Sequence, residues 1–140
     1  MRVIFIIISL FFTTVSFAQK VQFKKSKVLI DKIETFDFNR SLLSNDFSLY
    51  KLNSKDEIIY ISHFNNETPR YHDDDYKKIV FIKQNIIVES SRLRSKTLKQ
   101  LIRLLLEEEI LDKDGNINPE KLQSFVTKYN ENITNRTMRF

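Results

Sequence analysis

The chain has 140 residues, with 23 lysines and arginines against 18 aspartates and glutamates, one glycine, two prolines and no cysteine. This length fits one small domain, and the lack of cysteine excludes disulfide bonds and thiolate metal sites. Glycine-rich phosphate loops are excluded as well, because they need several glycines whose backbone can close on the phosphates. A hydrophobic share of 41% and a charged share of 29% are typical of a folded globular protein.

Residues 1–18 have the pattern of a secretory signal peptide. A short positive start precedes a predominantly apolar run over residues 3–17, and the small residues Ser16 and Ala18 occupy the −3 and −1 positions of a cleavage site. The alternative is an uncleaved anchor, which needs about 20 apolar residues to span a bilayer. We therefore predict cleavage after Ala18, which leaves residues 19–140 as a single exported domain without a membrane span, periplasmic or extracellular.

The next part of the chain, residues 21–90, alternates apolar and polar side chains in short runs, which is typical of half-buried strands. Turn-favouring residues separate some of these runs, as at residues 53–56, and this favours antiparallel pairing. The runs are 27–30, 33–38, 47–52, 57–64, 76–83 and 86–88. They predict an antiparallel sheet of about five strands.

Beyond the strands, the hydrophobic period becomes that of a helix. Apolar side chains recur three and four residues apart from Leu98 onward, and Thr97 and Gln100 form a candidate capping box. A second helix is indicated by Asn118 as N-cap and Pro119 at the first helical position. Two such helices need an apolar surface to bury against, so we predict an α+β domain whose sheet is covered on one face by two C-terminal helices.

The leader resembles that of small uncharacterised exported proteins of flavobacteria and their relatives. The resemblance is carried by the short positive start, the core rich in isoleucine and phenylalanine, and the Ser-Phe-Ala-Gln junction at residues 16–19. It covers the first 20 residues and the C-terminal helix pair, and it includes no catalytic motif. It implies a periplasmic or secreted protein and implies no activity.

A basic stretch leads into the first predicted helix. Its cations lie at the amino end of that helix and three glutamates, residues 107–109, lie at the carboxyl end, which is the reverse of what the helix dipole favours. This arrangement indicates either pairing with lysines of the next helix or a use in binding. We predict a non-enzymatic binding module for an anionic envelope component or protein, and no binding of nucleic acid. The predicted binding residues are Arg92, Arg94, Lys96, Lys99 and Arg103.

The two histidines and a run of acids form a second candidate site. His63 lies near the end of a predicted strand, and His72 precedes three aspartates in a loop. Nitrogen and oxygen donors of these types bind zinc and other divalent ions, although their spacing matches no recognised metal motif. The alternative function is therefore a small metal-binding protein or metal-assisted hydrolase. Its ligands would be His63, His72, Asp73 and Asp75.

The chain contains no motif that nominates a catalytic residue. It lacks H-E-x-x-H, G-x-S-x-G and a cysteine nucleophile, so we expect neither enzymatic activity nor a cofactor. Residues 112–117 resemble the middle of an EF-hand loop, but Ile110 and Lys121 stand where the first ligand and the bidentate glutamate are needed. A turn after the helix is therefore favoured over calcium binding.

Overall fold

The computed structural model describes residues 18–65 and 70–137. The predicted signal peptide, apart from Ala18, lies outside the described residues. Among the helices of these two ranges, none has both the length and the apolar character needed to cross a bilayer.

Within the described ranges, seven strands form one antiparallel sheet, in which each strand pairs with the next along the chain. The strands are β1 (Val21–Lys24), β2 (Lys27–Ile30), β3 (Ile33–Arg40), β4 (Phe47–Lys51), β5 (Glu57–Phe64), β6 (Tyr76–Phe81) and β7 (Ile86–Ser90). The α+β class and the antiparallel sheet are confirmed, but the predicted number of about five strands was too low.

The strand that the sequence did not predict is β1. It has four residues, and only two residues separate it from β2, where Lys25 takes a φ of 55°. The next turn is made in the same way by Asp31 and Lys32, with φ values of 50° and 70°. Such left-handed turns are ordinarily signalled by glycine or asparagine. Lys25 therefore gave no sign of the first hairpin, whereas the predicted runs 27–30 and 33–38 correspond to the two strands of the second.

Helices follow the sheet, and two of them begin at the predicted caps. They are α1 (Leu98–Glu107), α2 (Pro119–Tyr129) and a short additional helix, α3 (Ile133–Thr137). The Thr97 hydroxyl accepts the backbone N–H of Gln100, whose side chain accepts the N–H of Thr97 in return. At the start of α2, the Asn118 side chain accepts backbone N–H groups of the first turn. Both caps supply partners for amides that a helix leaves unpaired.

The hydrophobic core joins the strands to α1 and α2. Alternate strand positions, such as Ile59 and Ile61 of β5, belong to the same buried cluster as Leu101 and Leu105 of α1. The first helix lies nearest β1 and the second nearest β7, so the pair spans the width of the sheet. The sheet face that carries these alternate core positions is called the helix side below.

The segment between α1 and α2 contains the expected turn, at residues 112–116. The Asp112 carboxylate accepts the backbone N–H groups of Asp114 at 3.0 Å and Asn116 at 2.8 Å. Gly115 takes a φ of +83°, and a Cβ there would lie 2.8 Å from the Ile58 side chain. The Asp112 carboxylate is therefore used in hydrogen bonds within its own turn.

The segment after α2 packs along β7. The backbone N–H of Glu131 donates to the Glu89 carbonyl oxygen at 2.8 Å, and the Glu89 N–H donates to the Asn130 side chain at 3.1 Å. The buried Glu89 carboxylate accepts the Thr134 backbone N–H at 2.8 Å and also its hydroxyl. These bonds attach the start of α3 to the edge of the sheet.

Candidate functional site

A cleft of about 500 Å³ opens on the helix side, between the start of α1 and one end of the sheet. Because neighbouring strands are antiparallel, the end of β3, the end of β5 and the start of β6 lie at the same end of the sheet. We call this feature the cationic cleft. It is lined by Phe23, Arg40, Asn45, Ile61, His63, Lys77, Lys96, Thr97, Leu98 and Lys99.

Among the residues that the structure describes, those that line the cationic cleft include cations and no acid. Arg40, Lys77, Lys96 and Lys99 come from β3, β6 and the start of α1, and His63 of β5 lies among them. The amino end of α1 is also here, and its dipole adds partial positive charge. Like charges held close together repel one another. An anion in the cleft would relieve this repulsion.

The predicted binding residues Lys96 and Lys99 both line the cationic cleft. The Lys99 ammonium lies over the Phe23 ring, 5.8 Å from its centroid, which holds the long side chain in place. Arg94 lines an adjoining cavity of about 490 Å³ that shares Asn45 and His63 with the cleft. Three of the five predicted residues are thus gathered at one end of the sheet.

The other two predicted residues do not join this surface. Arg92 stacks over the Tyr129 ring at 5.4 Å and donates to the backbone carbonyl of Lys128. Arg103 donates through Nε to the carbonyl oxygen of Gln19 at 3.0 Å. The five predicted residues therefore do not share one continuous face, because the loop before α1 and the turn of the helix direct their side chains to different neighbours.

Within the described ranges, none of the five predicted cations forms an ion pair with a carboxylate. The glutamates at the end of α1 pair instead with the next helix. Lys128 contacts Glu108 at 3.1 Å and Lys121 contacts Glu109 at 3.8 Å. The reversed charges of α1 are therefore offset at its carboxyl end, whereas the cations at its amino end have no acidic partner within the described part of the chain.

His63 is held between a cation and an acid. Lys77 Nζ lies 2.8 Å from His63 Nδ1, and His63 Nε2 lies 3.4 Å from Asp75 Oδ2. Because an ammonium has no acceptor, Nδ1 must accept and Nε2 carries the proton towards Asp75. His72 Nδ1 reaches the same Asp75 oxygen at 3.0 Å. The four side chains form one hydrogen-bonded chain at the rim of the cleft.

The contacts of this chain shift three pKa values. Burial and the neighbouring Lys77 charge lower the pKa of His63, and burial likewise lowers the pKa of Lys77. For Asp75, burial acts to raise the pKa, but the hydrogen bonds and charges of His72 and His63 bring it below its ordinary value. At neutral pH the arrangement favours a neutral imidazole between an ammonium and a carboxylate.

The predicted metal ligands are only partly brought together. His63 and His72 converge on Asp75, whereas the Asp73 carbonyl oxygen contacts Arg94 and its side chain is exposed. In the two described ranges, no group of three or more histidines and acids is arranged to hold a metal ion. Metal binding stays a prediction, and the contacts present are hydrogen bonds.

No protein family, curated protein or solved structure matches this chain. Its function is therefore inferred from the chemistry of the cationic cleft. Arg40 and Lys77 of that cleft were not among the predicted residues. They lie far from α1 in sequence, and only the order and register of the strands bring them to it.

Mild acidification is expected to destabilise the protein through His63. Its pKa in the folded state lies below the ordinary 6.5, so the unfolded chain takes up a proton first. Stability is therefore lost as the pH falls from about 6.5 towards the lowered pKa, and this group causes no further loss below it. Urea unfolding at pH 7.5 and pH 5.5 measures the effect.

The variant His63→Gln is expected to lose less stability over this interval than the unmodified protein. His72→Gln, at an exposed ring, serves as the matched control and is expected to keep the loss. Asp75 affects stability only at lower pH, below about 4, because its pKa is lowered from 3.8. Equal pH dependence of His63→Gln and the unmodified protein would contradict the assignment.

Proposed function

We propose that the protein is an exported, non-enzymatic binding module that holds the anionic group of a ligand in the cationic cleft. The ligand group is a carboxylate, phosphate or sulfate. The observation that carries this proposal is the convergence of Arg40, Lys77, Lys96 and Lys99 on one concave surface, whose lining contains no acid among residues 18–65 and 70–137. These cations come from separate elements, so their proximity is a property of the fold.

Two of these cations are already positioned before a ligand arrives. Lys77 is held by His63 at 2.8 Å, and Lys99 is held over the ring of Phe23. Ordering a long side chain on binding opposes association, so side chains that are restrained beforehand bind more tightly. A hydrogen bond between a cation and an anion is also stronger than one between neutral groups.

The other residues that line the cationic cleft indicate the chemistry of the rest of the ligand. Asn45 and Thr97 offer amide and hydroxyl groups, and Phe23, Ile61 and Leu98 supply an apolar surface. A site of this composition accepts a molecule with an anionic head and a carbon-rich or hydroxylated body. Free inorganic ions would use only part of it.

Replacing Lys96 and Lys99 together by glutamine is expected to weaken binding of glycerol phosphate by at least about tenfold. Each lysine lost removes one charge-assisted contact, for which about 1.5–3 kcal/mol is typical. Isothermal titration calorimetry on residues 19–140 measures the affinity, and it is repeated at higher salt because exposed charges are screened.

The matched control is the double variant Lys55→Gln and Lys113→Gln. Both lysines are exposed outside the cleft, and the control changes the net charge by the same amount. We expect it to bind as the unmodified protein does. Equal weakening in both double variants would show a general charge effect and would contradict a specific site.

A further inference from the structure

The loop between β3 and β4 presents two adjacent leucines to solvent. Leu42 and Leu43 are 98% and 102% exposed, and no other large hydrophobic residue in the described ranges exceeds 68%. Single exposed apolar side chains are common on protein surfaces, but a fully exposed adjacent pair indicates a contact with something else.

The loop that carries the leucines is closed by its own hydrogen bonds. The Ser41 N–H donates to the Asp46 carbonyl oxygen at 3.0 Å, and the Ser41 hydroxyl accepts the N–H groups of Leu43 and Ser44. The Ser44 hydroxyl donates to the Asp46 carboxylate at 2.6 Å and lowers the pKa of that acid. The polar groups of the loop thus bond to one another, and the two leucine side chains remain fully exposed.

This apolar tip adjoins the cationic cleft. Arg40 comes directly before the loop and Asn45 belongs to it, and both line the cleft. The acid of the loop, Asp46, is half-buried and interacts with the hydroxyls of Ser44, Tyr60 and Ser62. This part of the molecule, which we call the docking edge, therefore combines the exposed side chains of Leu42 and Leu43 with the cationic cleft.

We propose that this edge docks on an anionic lipid bilayer. In this arrangement Leu42 and Leu43 enter the interfacial layer, and a lipid headgroup phosphate occupies the cationic cleft. The proposal rests on the proposed function, because the headgroup supplies the anionic group. Charge complementarity selects the occupant, since cations beside an apolar tip match a surface that is negative outside and apolar beneath.

The apolar surface at the tip is too small for a stable protein interface. Stable interfaces bury roughly 800 Å² on each partner, whereas two leucines provide a fraction of this. A bilayer needs no matching pocket, because any apolar side chain that enters it leaves water. The floor of Phe23, Ile61 and Leu98 in the cleft is also suited to the glycerol and upper acyl carbons of a lipid.

Cosedimentation with vesicles tests the docking. Residues 19–140 are expected to bind vesicles of phosphatidylglycerol and phosphatidylcholine and not vesicles of phosphatidylcholine alone. The double variant Leu42→Ser and Leu43→Ser is expected to lower the partition coefficient on the mixed vesicles by at least about tenfold. The control double variant Ile33→Ser and Ile87→Ser changes two exposed residues outside the cleft and is expected to bind normally.

A parallel titration with glycerol phosphate separates this proposal from the proposed function. If the leucine variant binds glycerol phosphate normally and loses vesicle binding, docking is supported. If glycerol phosphate binds but vesicles do not, or if the leucine substitutions leave vesicle binding unchanged, docking is overturned. If vesicles bind through the leucines and glycerol phosphate does not bind at all, the role of the cleft is overturned. Circular dichroism of each variant verifies that it is folded.

Discussion

Phe81→Ala is expected to lower the free energy of unfolding by about 3–5 kcal/mol. The Phe81 ring is fully buried, pairs across strands with Ile59, and meets the Phe125 ring of α2 edge-on at a centroid distance of 6.2 Å. Truncation removes apolar burial and leaves a cavity between the sheet and α2. Urea unfolding followed by circular dichroism measures the loss.

Ile87→Ala is the control for this substitution. Ile87 lies in the neighbouring strand β7 but is 46% exposed and lies on the opposite face from the core. Because it remains in contact with water before and after folding, its truncation is expected to change stability by less than about 1 kcal/mol. Similar losses at Phe81 and Ile87 would show that the sheet and α2 do not share a tightly packed core.

Glu89→Ala is expected to lower stability by about 2–3 kcal/mol, the second largest effect that we predict. The Glu89 carboxylate is buried and accepts both the backbone N–H and the hydroxyl of Thr134. An anion at the start of α3 is also favoured by the helix dipole. The substitution removes these contacts and weakens the attachment of the C-terminal segment to β7.

Limited proteolysis and amide hydrogen exchange distinguish local from global loss in this variant. We expect residues 130–137 to become accessible to protease while β5 and β6 stay protected. Glu107→Ala, at an exposed glutamate at the end of α1, is the matched control and is expected to change little. Protection of the C-terminal segment that is unchanged in Glu89→Ala would contradict the assigned role.

The sequence predicted some of the residues that form the candidate site and missed others. Lys96 and Lys99 were predicted because a basic stretch places cations at the amino end of α1, against the helix dipole, and such a pattern can be recognised along the chain. Arg40 and Lys77 were not, because their presence depends on the register of four strands. A shift of one residue in the pairing of β5 with β6 would move Lys77 to the sheet face opposite His63.

The predicted metal ligands also show that the sequence did not determine which side chains meet. The sequence placed His72 and three aspartates together and left His63 apart, and Asp73 and Asp75 were predicted equally as ligands. The fold selects Asp75, which both imidazoles contact, and leaves Asp73 exposed. The choice depends on which acid stands next to the start of β6, and that position follows from the pairing of β5 with β6.

The sequence by itself determined the local features of this protein: the strand runs, the change of period before α1, and the caps at Thr97 and Asn118. Each depends on interactions between residues a few positions apart, which are readable in order along the chain. Only the tertiary structure decided that there are seven strands and which cations share a cleft. Those outcomes depend on contacts between distant segments, and their free energies are fixed by packing and register, for which neighbouring residues carry no signal.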